Sequence, residues 1–244
     1  MNALILAAGR GTRLGLDDGT PKCLVDVGGQ PLIDRYLNAL ELLGVPVTVV
    51  VGHAAERIAS HVNARALSPT LVPNARFSLG SVVSLATGLQ ALGVRSEGSD
   101  VLLLDGDVAF APSLLSKLLH HQSPNALLVD VGTVFTDEQY MAGINHNRVV
   151  ALRRGPVDGN ETQGEWVGFA KLSASTVSEF RAAVEEQIAS GATSGGYEDA
   201  LAALLARIDF TAVPTDGEPW VEIDFAADLE RARLLFANQG AQHP

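Results

Sequence analysis

The sequence predicts an α/β fold in which a mostly parallel, Rossmann-like sheet carries helices on both faces and a small antiparallel insertion. Apolar, β-branched runs such as Val47 to Val51 alternate with amphipathic stretches such as Pro31 to Leu43. Glycines cluster at the ends of these runs, and acidic residues follow the run Val101 to Leu104. We expect a single domain over residues 1–244, because a chain of this length can bury a complete core.

The predicted elements alternate regularly over the first half of the chain. The strands are expected at Leu4 to Ala8, Val47 to Val51, Leu71 to Val72, Val101 to Leu104, Ala126 to Val131, Val149 to Leu152, Trp166 to Leu172 and Phe210 to Val213. The helices are expected at Pro31 to Leu43, Ala54 to Asn63, Val82 to Leu92, Leu114 to His121, Thr176 to Ala189, Glu198 to Ala206 and Ala227 to Phe236. Between about Tyr140 and Leu172 the alternation changes. We expect an antiparallel insertion or lid there, beside the main sheet, that helps to form a ligand pocket.

Composition and charge exclude several classes of protein. A formal net charge of -11 disfavours binding to a nucleic-acid backbone. No apolar run approaches the roughly 20 residues that span a bilayer. Met1 to Leu4 has no basic stretch before an apolar run, so we expect no signal peptide. The single cysteine, Cys23, fits the reducing cytoplasmic compartment, and neither it nor the histidines show metal-ligand spacing.

A glycine-rich turn follows the first predicted strand. The sequence LAAGRGTRLG occupies residues 6–15, and Lys22 follows after Pro21. Backbone N–H groups of such a turn can approach phosphate oxygens closely, and Arg13 and Lys22 add the cations that an acidic protein needs there. A dinucleotide fingerprint would need glycine where Leu14 stands, and the Gly-Lys-Ser/Thr of a Walker loop is absent. A simple strand-to-helix turn with incidental cations is the alternative.

Two short acidic segments suggest a metal site. Asp105 and Asp107 end a buried strand in LDGDV, and Glu222 and Asp224 alternate in WVEID. Alternation along a strand turns each pair to one side, and ligands in open α/β sheets gather at the carboxyl ends of strands. Carboxylate oxygens suit Mg²⁺. A solvated turn, or capping of the last helix by Asp224 or Asp228, is the alternative.

Residues Leu6 to Arg13 and Pro21 to Val25 together resemble the signature of the nucleoside-triphosphate transferase family, which includes sugar-phosphate nucleotidyltransferases and phosphocholine cytidylyltransferases. The resemblance implies a nucleotide-diphospho-sugar transferase-like fold, a turn that binds the triphosphate, and Mg²⁺ as cofactor. It assigns catalytic roles to Lys22, Arg13 and Asp107, and metal binding to Asp107 and Asp224. The implied nucleotide-binding residues are Leu6, Ala7, Ala8, Gly9, Gly11, Thr12, Arg13, Lys22, Asn74, Ser84 and Asp105.

Later segments resemble the phosphocholine and phosphonate cytidylyltransferases in particular. These segments are Asn74 to Phe77, Ser81 to Leu85, Gly164 to Phe169, Tyr197 to Leu201 and Trp220 to Asp224. The resemblance implies CTP as donor and a small acceptor such as phosphocholine or 2-aminoethylphosphonate. The implied acceptor-binding residues are Arg153, Arg154, Glu165, Trp166, Tyr197, Glu198 and Glu222, with Trp220 in an aromatic wall for a cationic head group. A loop turn and a helix cap are the alternatives for Asn74 and Ser84, and ordinary packing is the alternative for the aromatic residues.

The predicted reaction is an in-line attack of an acceptor oxygen on the α-phosphorus of CTP, with pyrophosphate as leaving group. A phosphate or phosphonate acceptor is already close to doubly charged at neutral pH, so no strong general base is required. The sequence contains no activated Ser, Cys or His constellation, so we expect no covalent enzyme intermediate. The alternatives are a sugar-1-phosphate nucleotidyltransferase using UTP, dTTP or GTP, an inositol-phosphate acceptor, and a non-catalytic nucleotide-binding sensor. We expect no nucleic-acid partner and no membrane insertion, and a homodimer is compatible with the sequence.

Overall fold

The computed structural model describes residues 1–15, 19–65, 69–95, 98–133, 137–193 and 195–237. The strands are β1 (Asn2–Ala7), β2 (Val47–Val51), β3 (Thr70–Pro73), β4 (Val101–Asp105), β5 (Val108–Phe110), β6 (Ala126–Asp130), β7 (Tyr140–Asn145), β8 (Arg148–Arg154), β9 (Thr162–Leu172), β10 (Phe210–Pro214) and β11 (Trp220–Glu222). The α-helices are α1 (Leu32–Leu42), α2 (Ala55–Val62), α3 (Ser81–Arg95), α4 (Pro112–His120), α5 (Ala174–Ala189), α6 (Glu198–Leu204) and α7 (Ala226–Phe236). Short 3-10 helices lie at Thr12–Leu14, Lys22–Leu24 and Phe77–Leu79.

Side chains of the central strands alternate between two hydrophobic cores, one on each face of the sheet. In β1, Leu4 belongs to one core and Ile5 to the other, and Leu103 and Leu104 of β4 divide in the same way. The period of two along a strand produces this division. Helices α1, α2, α4 and α7 pack into the core of Ile5, whereas α3, α5 and α6 pack into the core of Leu4. Helices therefore cover both faces of the sheet.

The main sheet is mixed, whereas the sequence predicted a mostly parallel one. Its order is β3-β2-β1-β4-β9-β6-β10-β8-β7 among the described residues. Strands β3, β2, β1 and β4 pair in parallel, as do β6 and β10. Strand β9 lies antiparallel between β4 and β6, and its first half also pairs with β7. Residues 140–172 thus contribute strands to the main sheet itself instead of lying beside it, because β9 re-enters the sheet in the opposite direction.

A small antiparallel ribbon joins the two acidic segments. Strands β5 and β11, which the sequence did not predict, pair with Glu222 opposite Val108. Next to this pair, the N–H of Ile223 donates to the carbonyl oxygen of Asp107 at 2.9 Å. The ribbon therefore brings residues that are far apart in sequence to the same edge of the sheet. None of the helices in the described ranges is long and apolar enough to cross a membrane.

Candidate active site

The glycine turn and the first acidic pair lie at the carboxyl ends of neighbouring parallel strands. Leu6 of β1 is opposite Asp105 of β4, and the N–H of Gly106 donates to the carbonyl oxygen of Leu6 at 3.0 Å. A Cβ at Gly106 would lie 2.6 Å from that oxygen, so a larger residue would push the strand ends apart. Gly11 has a φ of 61°, in the left-handed region that favours glycine, and precedes the 3-10 helix Thr12–Leu14. The pairing of β1 with β4 therefore places the turn directly beside the first acidic pair.

Lys22 lies between the two predicted metal ligands. Its Nζ is 3.0 Å from Oδ2 of Asp107 and 2.7 Å from Oδ1 of Asp224, while Nη2 of Arg13 is 2.7 Å from Oδ2 of Asp224. Burial lowers the pKa of Lys22, but the charges of the two aspartates outweigh burial and raise it above its ordinary value. Asp107, Glu222 and Asp224 each present an oxygen within 4.8 Å of the others. This set of hard oxygen donors fits Mg²⁺.

Two buried tyrosines support the turn that carries these acids. The hydroxyl of Tyr36 is within hydrogen-bond distance of the carbonyl oxygens of Asp105 and Val108, and it accepts from the N–H of Val108 at 3.0 Å. The hydroxyl of Tyr197 donates to Oδ1 of Asp105 at 2.9 Å. Burial, together with the charge of Asp107, raises the pKa of Asp105 well above its usual range. Tyr36 gives no functional signal in the sequence, because it occupies an apolar position of a helix.

Two cavities meet at the carboxylates. The smaller, of about 370 Å³, is lined by the glycine turn, Lys22 and Asp107. The larger, of about 630 Å³, extends toward the strands β6 to β9 and β11. Both are lined by Arg13, Asp105, Glu198, Glu222 and Asp224. Of the predicted nucleotide-binding residues, the smaller cavity contains Leu6, Ala7, Gly9, Gly11, Thr12, Arg13, Lys22 and Asp105 in its wall.

Three predicted nucleotide-binding residues lie behind this wall. Ala8 is buried, and its carbonyl oxygen accepts the N–H of His53. Asn74 and Ser84 are also buried, and Nδ2 of Asn74 donates to Oγ of Ser84 at 3.0 Å. This bond ties the chain after β3 to the first turn of α3, which begins with the cavity-lining residue Ser81. Because their polar groups bond to each other, Asn74 and Ser84 hold the cavity wall in position, and their direct contact with nucleotide stays a prediction.

The larger cavity receives most of the predicted acceptor-binding residues. Arg154, Glu165, Trp166, Glu198 and Glu222 line it. Glu198 and Glu222 also border the smaller cavity, which places them at the junction of the two cavities.

Arg153 and Tyr197 do not line the larger cavity, and their contact with an acceptor stays a prediction. The guanidinium of Arg153 donates to the carbonyl oxygen of Pro156 on the exposed side of β8, since neighbouring residues of a strand point to opposite faces. Arg154 points into the larger cavity, with its guanidinium carbon 4.7 Å from the ring centre of Tyr140. Tyr197 is buried beside Asp105 and forms part of the smaller cavity, where its hydroxyl supports that carboxyl group.

Acidic side chains of the larger cavity include one that the sequence analysis missed. Asp130 ends strand β6, and its Oδ2 accepts the indole N–H of Trp220 at 2.8 Å. The same rule that identified Asp105, an acid at the carboxyl end of a buried strand, would have identified Asp130. Nearby, Nε2 of Gln139 donates to Oε2 of Glu165 at 3.0 Å, and burial raises the pKa of Glu165.

The acids at the junction of the cavities have raised pKa values. Burial, with the charges of Asp199 and Asp107, raises the pKa of Glu198 to about 7. Enclosure by the cleft walls, with the charges of Asp107 and Asp224, raises the pKa of Glu222 to about 8, although water still reaches its side chain. Crowded carboxylates of this kind favour a cationic ligand, because each added negative charge repels the others.

The chain is similar to known nucleotidyltransferases. A family model described as the MobA-like NTP transferase domain matches residues 3–207. The chain belongs to this family. Membership confirms the resemblance to nucleoside-triphosphate transferases and the prediction of a nucleotidyltransferase domain.

Individual relatives of this NTP transferase domain are cytidylyltransferases or related transferases. The bifunctional IPC transferase and DIPP synthase of Rubrobacter xylanophilus is 29% identical over 254 residues, which cover 100% of this chain and 54% of that protein. The CTP:phosphoglutamine cytidylyltransferase of Campylobacter jejuni is 24% identical, covering 94% of this chain and 98% of that protein. The chain therefore spans only about half the length of the first relative.

A solved structure establishes the fold class. The inositol-1-phosphate CTP transferase from T. maritima superposes with a TM-score of 0.76 at 20% identity, covering 100% of this chain and 97% of that one. At this identity the likeness shows the fold alone. The predicted α/β fold of the nucleotide-diphospho-sugar transferase type is thereby confirmed.

Proposed function

We propose that this domain transfers CMP from CTP to the phosphate or phosphonate of a small acceptor and releases pyrophosphate. The observation that carries the proposal is the junction of two cavities at Glu222 and Asp224. One cavity offers a glycine turn and two cations to a triphosphate, and the other offers a separate chamber to a small acceptor. Two substrates bound in adjoining chambers meet at the carboxylates, which is the arrangement that transfer between them requires.

The choice of CTP is supported by the relative from Campylobacter jejuni, which is a CTP:phosphoglutamine cytidylyltransferase and is similar over nearly the whole of both chains. In the smaller cavity, Arg13 and Lys22 offset the charge of the triphosphate, and the backbone of the glycine turn donates to its oxygens.

The larger cavity favours an acceptor that carries a positive charge beside its phosphate or phosphonate. Its wall is dominated by acids, whereas its aromatic residues suit an ammonium group such as choline or a primary amine. Arg154 supplies a guanidinium for the acceptor's anionic end. The acids are Asp105, Asp130, Glu138, Glu165, Glu198, Glu222, Asp224 and Asp228, and the aromatic residues are Tyr140, Trp166, Trp220 and Phe225.

Asp107 and Asp224 would hold Mg²⁺, with Glu222 beside them. When bound, the ion stabilises negative charge on the phosphate oxygens. Lys22 and Arg13 neutralise further charge on the transferring group, and the cavity walls orient the acceptor oxygen toward the α-phosphorus. No residue has to remove a proton, because the acceptor oxygen is already ionised near neutral pH. Positioning and electrostatics therefore account for the catalysis.

A matrix of donors and acceptors tests the proposal through pyrophosphate release. CTP, UTP, dTTP and GTP are each combined with phosphocholine, 2-aminoethylphosphonate, inositol 1-phosphate and glucose 1-phosphate in the presence of Mg²⁺. We expect CTP with a cationic acceptor to give a kcat/KM at least about tenfold above any other pair. Faster turnover of UTP or dTTP with glucose 1-phosphate would replace the proposal by a sugar nucleotidyltransferase. Tight CTP binding without turnover of any acceptor would replace it by a nucleotide sensor.

A pair of charge-matched variants tests the metal ligand. Asp107→Asn should lower kcat by roughly 100-fold, since a group that stabilises transition-state charge is lost. Asp209→Asn removes the same charge from an exposed surface ion pair with Arg148 and should leave kcat within about twofold. Similar activity of the two variants would contradict the assignment of Asp107.

A further inference from the structure

We propose that Lys22 and the divalent cation compete for the same two carboxylates, so that the ammonium group of Lys22 occupies the metal position until a triphosphate draws it away. The inference rests on the proposed function for the identity of the metal site, and it adds an order of events. The nucleotide-free protein binds the metal weakly, and the triphosphate creates the strong site by removing Lys22 from Asp107 and Asp224.

The contacts of Lys22 carry this inference. Its Nζ lies 3.0 Å from Asp107 and 2.7 Å from Asp224, at the centre of the acidic cluster. Arg13 contacts the second oxygen of Asp224 at 2.7 Å, so both oxygens of that carboxylate are engaged. The stem of Lys22 packs on the glycine turn, where a Cβ at Gly11 would lie 3.2 Å from the Cβ of Lys22. With 13% of its side chain exposed, Lys22 is held in place from the turn to the carboxylates.

The two cations exclude each other for electrostatic reasons. Mg²⁺ binds carboxylate oxygens at about 2.0–2.1 Å. An ion at that distance from the oxygens that Lys22 contacts would lie within roughly 4 Å of its Nζ, where a divalent and a monovalent cation repel strongly in a partly buried site. The ammonium and the ion therefore cannot share Asp107 and Asp224 without movement of the lysine.

The position of Lys22 also allows a bound triphosphate to draw it away from Asp107 and Asp224. Its side chain borders the same cavity as the glycine turn, so the phosphate oxygens of a bound triphosphate lie within reach of the ammonium group. The triphosphate offers Lys22 new anionic partners at the moment when it also supplies oxygen ligands for the metal. In the nucleotide-free protein, Lys22 instead offsets the mutual repulsion of Asp107 and Asp224.

The experiment measures Mn²⁺ binding to the nucleotide-free protein from the electron paramagnetic resonance signal of the unbound ion. Lys22→Met keeps a long apolar stem and removes the ammonium, so we expect it to bind Mn²⁺ roughly tenfold more tightly than wild type. The matched control is Lys117→Met, because Lys117 contacts Asp216 and Pro214 outside both cavities, and it should change the Kd by less than about twofold. Circular dichroism checks that each variant is folded.

A second measurement keeps the test decisive if Lys22→Met does not fold. A non-hydrolysable CTP analogue should tighten Mn²⁺ binding to wild type and to Lys22→Arg beyond the chelation of Mn²⁺ by the analogue alone in buffer, because the triphosphate draws the retained cation away from the carboxylates. Mn²⁺ binding that does not exceed this chelation in either protein would overturn the inference.

The outcomes separate this inference from the proposed function. If Asp107→Asn and Asp224→Asn abolish Mn²⁺ binding while Lys22→Met binds no tighter than wild type, the metal site stands and the competition is refuted. If neither Asp107→Asn nor Asp224→Asn changes Mn²⁺ binding in the presence of the CTP analogue, the metal site itself is wrong, and the proposed function fails with it. Tighter binding by Lys22→Met, lost again when Asp224→Asn is added, supports the inference.

Discussion

The variant Tyr197→Phe removes one hydroxyl group and so tests a single hydrogen bond beneath the active-site acids. The bond to Oδ1 of Asp105 measures 2.9 Å, and the tyrosine side chain is buried. Removing one partner of a buried hydrogen bond costs about 1–3 kcal/mol, because the other polar group is left without a partner. Phenylalanine retains the ring, which makes edge contacts with Trp166 and Phe180 at centroid distances of 5.9 and 6.3 Å, so Tyr197→Phe leaves no large cavity. We expect it to lower the free energy of unfolding by about 2 kcal/mol.

Guanidinium denaturation followed by tryptophan fluorescence measures this loss. For a chain of this length, 2 kcal/mol corresponds to a decrease in Tm of roughly 4–8 °C. Tyr140→Phe is the control, since Tyr140 is only half-buried and its ring keeps its contact with Arg154. The free energy of unfolding of this variant should fall by less than about 1 kcal/mol. A loss below about 0.5 kcal/mol for Tyr197→Phe, or equal losses for the two variants, would refute the claim that the buried hydroxyl supports Asp105.

Three further variants follow from the contacts of the site. Burial raises the pKa of Glu198 to about 7. Between about pH 4.5 and pH 7 the folded protein therefore retains a proton that the unfolded chain has lost, and the free energy of unfolding of the wild type falls as the pH rises through this range. The free energy of unfolding of Glu198→Gln should therefore exceed that of wild type by up to about 3 kcal/mol at pH 8 and equal it at pH 4. Denaturation at both pH values measures this difference. Trp220→Phe loses the 2.8 Å hydrogen bond to Asp130, so initial-rate kinetics should show a KM for the acceptor raised about fivefold and an unchanged KM for CTP. Equal changes in the two KM values would contradict the assignment of the larger cavity to the acceptor. Asp228→Ala removes the acceptor for the N–H of Phe225 and should cost about 1 kcal/mol in thermal unfolding, while an unchanged Tm would show that this cap is dispensable.

The alternatives for the last acidic segment are resolved by these contacts. Asp228 accepts the N–H groups of Phe225 and Asp224 and so caps the first turn of α7. The side chain of Asp224 is therefore free to point toward Lys22 and Arg13. The sequence contained both acids at suitable positions, but only the direction of each side chain distinguishes a helix cap from a member of the acidic cluster.

Local patterns in the sequence determined the element types, the glycine turn and the two acidic segments, because periodicity and turn chemistry depend on neighbouring residues. The family signature followed from the same short segments, and the match over residues 3–207 confirms it. The acid at the end of β6, Asp130, was available from the same reasoning, since it also follows a buried strand.

Only the tertiary structure decided which distant groups meet. Strand β9 enters the sheet antiparallel between β4 and β6, and the β5–β11 ribbon brings Asp224 to Asp107 with Lys22 between them. The structure also separates Arg154 from Arg153 and turns Tyr197 under Asp105. These outcomes depend on strand pairing and on side-chain burial between segments far apart in the chain, and no local pattern specifies the partner that a strand or a charge will find.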